Sequence, residues 1–181
     1  MQVTFYGVRG SCPAPGPDFV KYGGNTACVH VCLNDGTDII LDAGTGIKNL
    51  GQKLIKQNND IHLLLTHNHW DHIQGFPFFA PIYQPKRNIF ITPGQISFDA
   101  NNAILEQMSG SYFPVDYKTL PSNIKITPQP EGIKSWKIGD ATISRLAMNH
   151  PGSGSSFCIE ADGKKVAYIT DNELYPPYKK N

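Results

Sequence analysis

The alternation of hydrophobic and polar positions predicts that most of the regular structure in this chain is β-strand. Residues 27–33 are the clearest case, because every second residue from Ala27 to Leu33 is aliphatic while cysteine and histidine occupy the positions between. Side chains alternate between the two faces of a strand, so this pattern gives one apolar face and one mixed face. By this criterion, and by apolar runs bounded by turn residues, strands are predicted at 2–8, 27–33, 38–42, 61–65, 89–92, 124–127, 141–148, 155–160 and 166–170.

Helical periodicity is confined to fewer segments. Residues 46–58 carry an apolar stripe that runs from Ile47 past Leu54, and a second helix is predicted over about 97–108. Strands outnumber helices, and an Asn-Asp-Gly turn signal joins two strands as a hairpin. These elements predict a mixed α/β (α+β) sandwich of sheets with helices outside.

The composition is that of a globular chain without an electrostatic extreme. Charged residues make up 17% and hydrophobic residues 40% of the 181 residues, and the formal net charge is +1 with neutral histidines. This length suits one domain, 1–181, and this charge is too small to support a long nucleic-acid footprint. No apolar run reaches the roughly 18–20 residues that cross a bilayer, the first residues are typical of a strand rather than of a signal peptide, and the four cysteines form no C-x-x-C pair. We therefore expect a reduced, cytoplasmic protein without a membrane partner.

The run Thr66-His67-Asn68-His69-Trp70-Asp71-His72 carries the strongest chemical signal in the chain. It follows the apolar strand predicted at 61–65, so four metal-binding side chains come where that strand ends. His67 and His69 lie two residues apart, and an extended backbone places both imidazoles on one side. The aspartate and histidine that follow come where a turn redirects the chain, and His72 is expected to open a short helix. The run therefore predicts a metal site.

Together with other segments, this run resembles the metallo-β-lactamase-fold hydrolases, whose fold is an αββα sandwich. Leu41-Asp42-Ala43-Gly44-Thr45-Gly46 is similar to the family's strand-end D-x-G-x-G element, in which the aspartate braces the metal loop. His150, which closes the strand around 144–149, and Asp171, which follows 166–170, match two further ligand positions. The resemblance covers about residues 2–175.

Four shorter segments resemble a closer subgroup, the branch related to ribonuclease Z and to cyclic nucleotide and cyclic phosphate phosphodiesterases. The segments are Tyr6-Gly7-Val8-Arg9-Gly10-Ser11, Tyr22-Gly23-Gly24-Asn25-Thr26, Ser111-Tyr112-Phe113-Pro114-Val115 and Thr170-Asp171-Asn172-Glu173.

The resemblance implies a two-metal hydrolytic centre in which Asp71 is the catalytic carboxylate. Nitrogen and oxygen ligands suit zinc first, with manganese or iron as alternatives. Two divalent ions roughly 3.5–4 Å apart would hold a bridging hydroxide, and Asp71 would orient this hydroxide or take the proton of the water from which it forms. The implied ligands are His67, His69 and His150 for the first ion, Asp71 and His72 for the second, and Asp171 for both.

The resemblance further implies hydrolysis of phosphodiester bonds, with cyclic nucleotides or related small compounds as substrates. An RNA-processing endonuclease of the ribonuclease Z type is the near alternative, although the near-neutral charge weighs against it. Hydrolysis of lactones, thioesters or β-lactams, and a non-catalytic scaffold role, also stay open. Asn25, Tyr112 and Phe113 are candidate substrate contacts, because the family places comparable loops at the mouth of the site. An aromatic ring there would stack on a base, or the loop would pack on the core as a lid.

The segment after Asp171 departs from the family pattern. The family adds a helix, a strand and a last metal-binding histidine, whereas no histidine follows His150 here. We therefore expect a sandwich without its last strand and helices, a weak or absent second ion, and exposed apolar surface. Three explanations stay open: a fragment of a longer protein, completion by a second subunit in a homodimer or by exchange of elements, or a naturally short form that is slow or inactive.

Three other features have an ordinary structural explanation. Cys28, His30 and Cys32 share one strand face and have ligand chemistry, but free cysteine also packs as a small hydrophobe. His62 lies within an apolar strand and is expected to be structural. Trp70 is expected to pack against the metal loop rather than contact substrate.

Overall fold

Two β-sheets lie face to face in this protein, and the computed structural model describes residues 1–94, 102–130 and 132–174. The first sheet has six strands in the order β1-β2-β3-β4-β5-β6, and the second has four in the order β10-β9-β8-β7. The strands of the first sheet are β1 (Gln2–Gly7), β2 (Cys28–Cys32), β3 (Asp38–Leu41), β4 (Ile61–Leu64), β5 (Asn88–Thr92) and β6 (Asn123–Ile126). Those of the second are β7 (Ser135–Ile138), β8 (Ala141–Ala147), β9 (Ser155–Ala161) and β10 (Lys164–Tyr168).

The first sheet changes from antiparallel to parallel at β3. Strands β1, β2 and β3 pair antiparallel, whereas β3 to β6 pair parallel. Parallel neighbours need a crossover connection; α1 (Ile47–Leu54) lies in the one between β3 and β4, and α3 (Ala103–Glu106) in the one between β5 and β6. The carboxyl ends of the parallel strands therefore meet at one edge of the sheet, where the histidine run begins.

All the predicted strands are present, but the helices differ from the prediction. The first helix ends at Leu54, because a polar stretch of lysine, glutamine and asparagine follows its last apolar turn. The helix predicted over 97–108 falls partly on residues outside the described ranges, and its described part contains α3. The expectation that His72 opens a short helix is wrong: α2 spans Trp70–Ile73, because His69 keeps an extended backbone (φ −62°, ψ 150°) and the chain turns directly after it.

Strand β7 was missed from the sequence. Its four residues, Ser135–Ile138, follow a stretch rich in proline and glycine and carry only two apolar side chains. The strand exists because Trp136 and Ile138 pair with the apolar side of β8 and pack into the core between the sheets. Tertiary packing therefore outweighs a weak local signal.

The protein has three layers, namely the helices, the six-stranded sheet and the four-stranded sheet, and a hydrophobic core lies between each pair of neighbouring layers. The β2 alternation works as predicted, since Val29, Val31 and Leu33 enter the core between the sheets while Cys28 faces the helices. Helices α1 and α3 pack on the other face of the six-stranded sheet, through Ile47, Leu50 and Leu54 of α1 and Ile104 and Leu105 of α3. The predicted fold class, a sandwich of mixed sheets with helices outside, is confirmed.

The outer face of the second sheet carries mostly small and polar side chains. Ile143 and Ile159 point inward, so their strand neighbours point outward. Leu146 belongs to that outer face and is 69% exposed. Within the described ranges, the buried aliphatic side chains of all three α-helices belong to the core on the opposite side, against the first sheet. None of the described helices is long and apolar enough to cross a membrane.

Gly44 permits the close approach of the strand-end turn to the metal loop, and this gives the first prediction. A Cβ atom at Gly44 would overlap the Asp71 carbonyl oxygen and the Thr26 hydroxyl. Gly44→Ala should therefore lower the free energy of unfolding by about 1–3 kcal/mol, as overpacking does elsewhere. Gly110→Ala is the matched control, because no heavy atom lies within 4 Å of its added Cβ. Urea unfolding of both variants would measure the difference, and equal midpoints would contradict it.

Candidate metal centre

The histidine run lies where four strand ends meet. Thr66 follows β4 and bonds through its backbone N–H to the Asp42 carboxylate at 2.7 Å, just beyond the end of β3. His150 follows β8, and Asp171 follows β10. Residues distant in sequence therefore converge because both sheets end their strands at the same edge.

The first group of converging atoms has three imidazoles and one carboxylate. His69 Nδ1 lies 3.0 Å from His67 Nε2 and 3.0 Å from His150 Nε2. Asp171 Oδ2 lies 3.6 Å from His67 Nε2 and 4.0 Å from His150 Nε2. One ligand atom from each of these four residues fits within 4.8 Å of the others.

The second group has one imidazole and two carboxylates. His72 Nε2 lies 3.5 Å from Asp71 Oδ2 and 3.4 Å from Asp171 Oδ2. The same oxygen atom of Asp171 therefore faces both groups. Asp71, His72 and Asp171 also offer ligand atoms within 4.8 Å of one another.

The donor set fits divalent cations. A neutral imidazole has one donor and one acceptor nitrogen, so His69 Nδ1 can satisfy only one of its two imidazole neighbours with a proton. Three nitrogens and a carboxylate oxygen that face one point are satisfied together by a positive ion. Nitrogen and oxygen ligands without thiolate suit zinc, manganese or iron.

The two buried histidines of the metal centre, His67 and His72, differ in proton affinity. Burial lowers the pKa of His67 to about 4, and the nearby charge of His72 acts in the same direction. Burial also disfavours the charged form of His72, but the hydrogen bond to Asp42 and the charges of Asp42, Asp71 and Asp171 raise its pKa above the usual value. His67 is therefore neutral at neutral pH, which is the form that binds metal.

Asp42 supports His72 through Nδ1, the ring nitrogen that does not face the other candidate ligands. The Asp42 carboxylate is fully buried, and its Oδ2 lies 2.8 Å from His72 Nδ1. A proton on Nδ1 leaves the lone pair of Nε2 facing the two ligand carboxylates. Tyr168 Oη donates to the same Asp42 oxygen at 3.1 Å, and burial, followed by the charge of Asp42, raises the pKa of Tyr168 well above its usual value. The expected bracing role of Asp42 agrees with this geometry.

Two residues that act on the site were not found from the sequence. Tyr168 was seen only as a strand residue, because nothing local shows that it reaches Asp42. The backbone N–H of Ser11 donates to Asp71 Oδ2 at 2.7 Å, and Ser11 has a positive φ of 64°. The signal for Ser11 was the Gly10-Ser11 segment, which was noted for its resemblance without a role.

The candidate substrate residues have mixed surroundings. Asn25 accepts hydrogen bonds at its carbonyl from the Val8 and Arg9 amides, and at Oδ1 from the Thr45 hydroxyl at 3.2 Å. Tyr112 is 77% exposed, while Phe113 packs edge-on against Phe78 with 5.6 Å between ring centroids. Among the described contacts, none joins these three residues to the metal-binding groups, so substrate contact by them stays a prediction.

The remaining histidines and Cys28 have structural surroundings, as predicted, whereas the prediction for Trp70 fails. His30 Nε2 bonds to Asp38 Oδ1 at 2.7 Å, and Cys28 is buried in the helix-side core. His62 stacks on Phe90 with 5.1 Å between centroids. The expectation that Trp70 packs against the metal loop is wrong, because the side chain is 66% exposed. Trp70 is the first residue of α2 and does not belong to the core that Ile73 enters.

The chain is similar to known proteins in sequence and in fold. A family model described as a beta-lactamase superfamily domain matches residues 37–180. A UPF0173 metal-dependent hydrolase of Enterococcus faecalis is 23% identical over 158 residues, which is 84% of this chain and 63% of that protein. The chain thus spans less than two thirds of that relative.

Two solved structures share the fold. The metallo-beta-lactamase fold protein YhfI from Bacillus subtilis matches 96% of this chain and 63% of its own, with 18% identity and a TM-score of 0.67. The short form of human tRNase Z matches 93% of this chain and 68% of its own, with 17% identity and a TM-score of 0.59.

His69 shares its Nδ1 between two histidines, and its replacement should weaken the first group. His69→Ala should reduce zinc or manganese bound per chain by about one ion, because three ligands would remain where four converge. His62→Ala is the matched control, since that histidine stacks on Phe90 away from both groups. Elemental analysis after dialysis would measure the content. Equal metal content in the two variants would contradict the ligand role.

Asp42 and Tyr168 allow the bracing of His72 to be tested. Asp42→Asn removes the charge behind His72 and should weaken metal binding about 10–100-fold, as loss of a supporting partner does in other metal sites. Tyr168→Phe removes one neutral hydrogen bond to the same oxygen and should have a much smaller effect. Metal titration with a competing chelator would measure both affinities, while thermal unfolding of the metal-free variants would report any loss of fold. Equal affinities in the two variants would exclude the bracing role.

Proposed function

The chain belongs to the beta-lactamase superfamily, and from that premise we propose that it is a two-metal hydrolase that cleaves phosphodiester bonds of cyclic nucleotides or similar small compounds. The proposal is for a zinc enzyme first, with manganese or iron as alternatives. Its relatives include a protein named as a metal-dependent hydrolase.

The shared position of Asp171 is the observation that carries the proposal. Its Oδ2 atom lies 3.6 Å from His67 Nε2 in the first group and 3.4 Å from His72 Nε2 in the second. A single carboxylate oxygen between two ligand groups suits a pair of ions close together. Paired ions are the arrangement used for displacement at phosphorus, where both the attacking and the leaving oxygen need stabilisation.

Each side chain has a defined part in the proposed reaction. When bound, divalent ions supply an activated water molecule and neutralise charge on phosphoryl oxygens. His67, His69 and His150 would hold one ion, Asp71 and His72 would hold the second, and Asp171 faces both groups. Asp71 is the proposed catalytic carboxylate: it is held by the Ser11 amide 3.5 Å from His72 Nε2, where it orients water or takes its proton.

The shape of the centre supports small substrates. A cleft of about 220 Å³ reaches His72 and Asp171 and is lined on its other side by Phe5, Val8 and Ala27. The centre opens to solvent on the side of His69 and Asp171, whose carboxylate is 35% exposed, while His67 is fully buried. A net charge of +1 supplies little long-range attraction for RNA.

An RNA-processing endonuclease is the second candidate. The fold shared with human tRNase Z over 93% of this chain favours it. A third possibility is a metal-binding chain with little activity, whose second group is completed by a ligand from another subunit. Among the described residues, the second group contains only Asp71, His72 and the shared Asp171 as candidate ligands.

Hydrolysis of bis-p-nitrophenyl phosphate tests the proposal. With added zinc or manganese, the wild-type chain should release nitrophenol and bind about two ions, and His150→Ala should lose most of that turnover. Comparison of cyclic AMP, cyclic GMP and a tRNA precursor would then separate the first two candidates. One bound ion or fewer, together with no turnover under either metal, would exclude the two-metal hydrolase.

A further inference from the structure

A loop between β1 and β2 lies beside the metal centre and is attached to it. The loop covers residues 8–27 and contains the Val8-Arg9-Gly10-Ser11 segment, to which the proposed reaction assigns only the Ser11 amide. That amide bonds to Asp71 Oδ2 at 2.7 Å. The loop is also anchored at its start, because the backbone amides of Val8 and Arg9 donate to the Asn25 carbonyl at 3.1 and 3.0 Å. Its position relative to the metal ligands is therefore defined by hydrogen bonds at both points.

The Arg9 side chain is held in one place on this loop. Its Nε donates to the Cys12 carbonyl at 2.6 Å, and its guanidinium carbon lies 4.7 Å from the centroid of the Phe19 ring. Stacking and a hydrogen bond restrict the rotamers of a side chain that would otherwise lose much entropy on binding. Within the described ranges, no hydrogen bond or ion pair uses the Nη1 and Nη2 groups of Arg9. Both remain available as donors.

Arg9 stands between two clefts. On one side is the cleft of about 220 Å³ that contains His72 and Asp171. On the other side, across the shared wall Val8–Gly10, is a cleft of about 340 Å³. Its remaining lining residues are Asp18, Phe19, Lys21, Tyr22 and Gly23.

The second cleft combines positive charge with an exposed aromatic ring. Arg9 and Lys21 supply two cations against the single carboxylate of Asp18. Tyr22 is 74% exposed, and the Lys21 ammonium lies 5.0 Å from its ring centroid. A guanidinium with two free donor groups matches a phosphate, and an exposed ring offers a stacking surface for a base.

We propose that this second cleft is a nucleotide subsite of the hydrolase, in which Arg9 binds a phosphate group and Tyr22 stacks on the base. The inference rests on the proposed phosphodiester hydrolysis and makes Arg9 a specificity-determining residue for it. Substrates with a nucleoside attached to the phosphate are then preferred over simple phosphodiesters. Asp18 lowers the net charge of the cleft and disfavours a second phosphate there.

Equilibrium binding separates this inference from the reaction itself. Calorimetry on the metal-loaded protein would use three probes: AMP, ribose 5-phosphate and adenosine. Arg9→Gln should weaken AMP and ribose 5-phosphate about 10–100-fold, the range for a hydrogen bond to a charged group, and leave adenosine unchanged. Tyr22→Ala should weaken AMP and adenosine but not ribose 5-phosphate.

Two further variants guard against simpler explanations. Lys137→Gln removes one positive charge from the exposed β7 strand of the other sheet and should leave all three affinities unchanged. Arg9→Lys keeps the charge but loses the planar guanidinium that donates two parallel hydrogen bonds, so it should retain only part of the phosphate affinity. Elemental analysis should show equal metal content in all variants, which would exclude an indirect effect through Ser11 and Asp71.

The outcomes distinguish the two proposals. If Arg9→Gln binds AMP as the wild type does, or if the wild type does not bind AMP, the subsite is wrong, whether or not phosphodiesters are hydrolysed. If AMP binding depends on Arg9 but no phosphodiester is hydrolysed, the subsite stands and the proposed reaction fails.

Discussion

The buried carboxylate of Asp42 is the constraint on which the metal centre depends. A carboxylate that is removed from water must be fully hydrogen-bonded or it costs several kcal/mol. Asp42 satisfies this requirement through the Thr66 amide, His72 Nδ1 and the Tyr168 hydroxyl. Thr66 follows β4, His72 lies in α2 and Tyr168 ends β10, so the requirement joins both sheets at one point. Asp42 itself adopts a positive φ of 61°. This strained backbone conformation is tolerated because the hydrogen bonds of the carboxylate fix the position of the residue.

Close packing under the metal loop depends on the same junction. The Ala43 amide bonds to the His72 carbonyl at 2.7 Å, and the Gly75 amide bonds to the Ala43 carbonyl at 2.9 Å. The turn after β3 and the helix α2 therefore approach within backbone contact, which leaves no room for a side chain at Gly44 or Gly75. The ligands gain a rigid base, and rigid support is what holds a metal site in its productive geometry.

The centre is asymmetric in what surrounds it. His67 and His72 are buried against the protein, whereas His69 and Asp171 face solvent. The loop after β1 closes one side by its bond to Asp71, and it brings Arg9 to the wall of the cleft that contains His72 and Asp171. In the proposed enzyme, chemistry and recognition thus come from different parts of the chain: strand ends supply the candidate ligands, and a loop anchored to them supplies the proposed surface for substrate. Such a division is common where loops on a rigid scaffold carry specificity.

Local patterns in the sequence determined the strands and the metal-binding residue types. Alternation in β2 and the apolar run of β4 are local properties, and the H-x-H-x-D-H run is a short motif, so all were readable without the fold. The family resemblance pointed to the distant residues His150 and Asp171 as ligands, but the tertiary structure alone decided which distant groups support the ligands. Tyr168 reaches Asp42, and the Ser11 amide reaches Asp71, across separations of 126 and 60 residues. It also decided that β7 is a strand and that Trp70 faces solvent. These outcomes depend on packing between elements that no stretch of sequence contains, because the free energy that selects them arises only when the sheets are in contact.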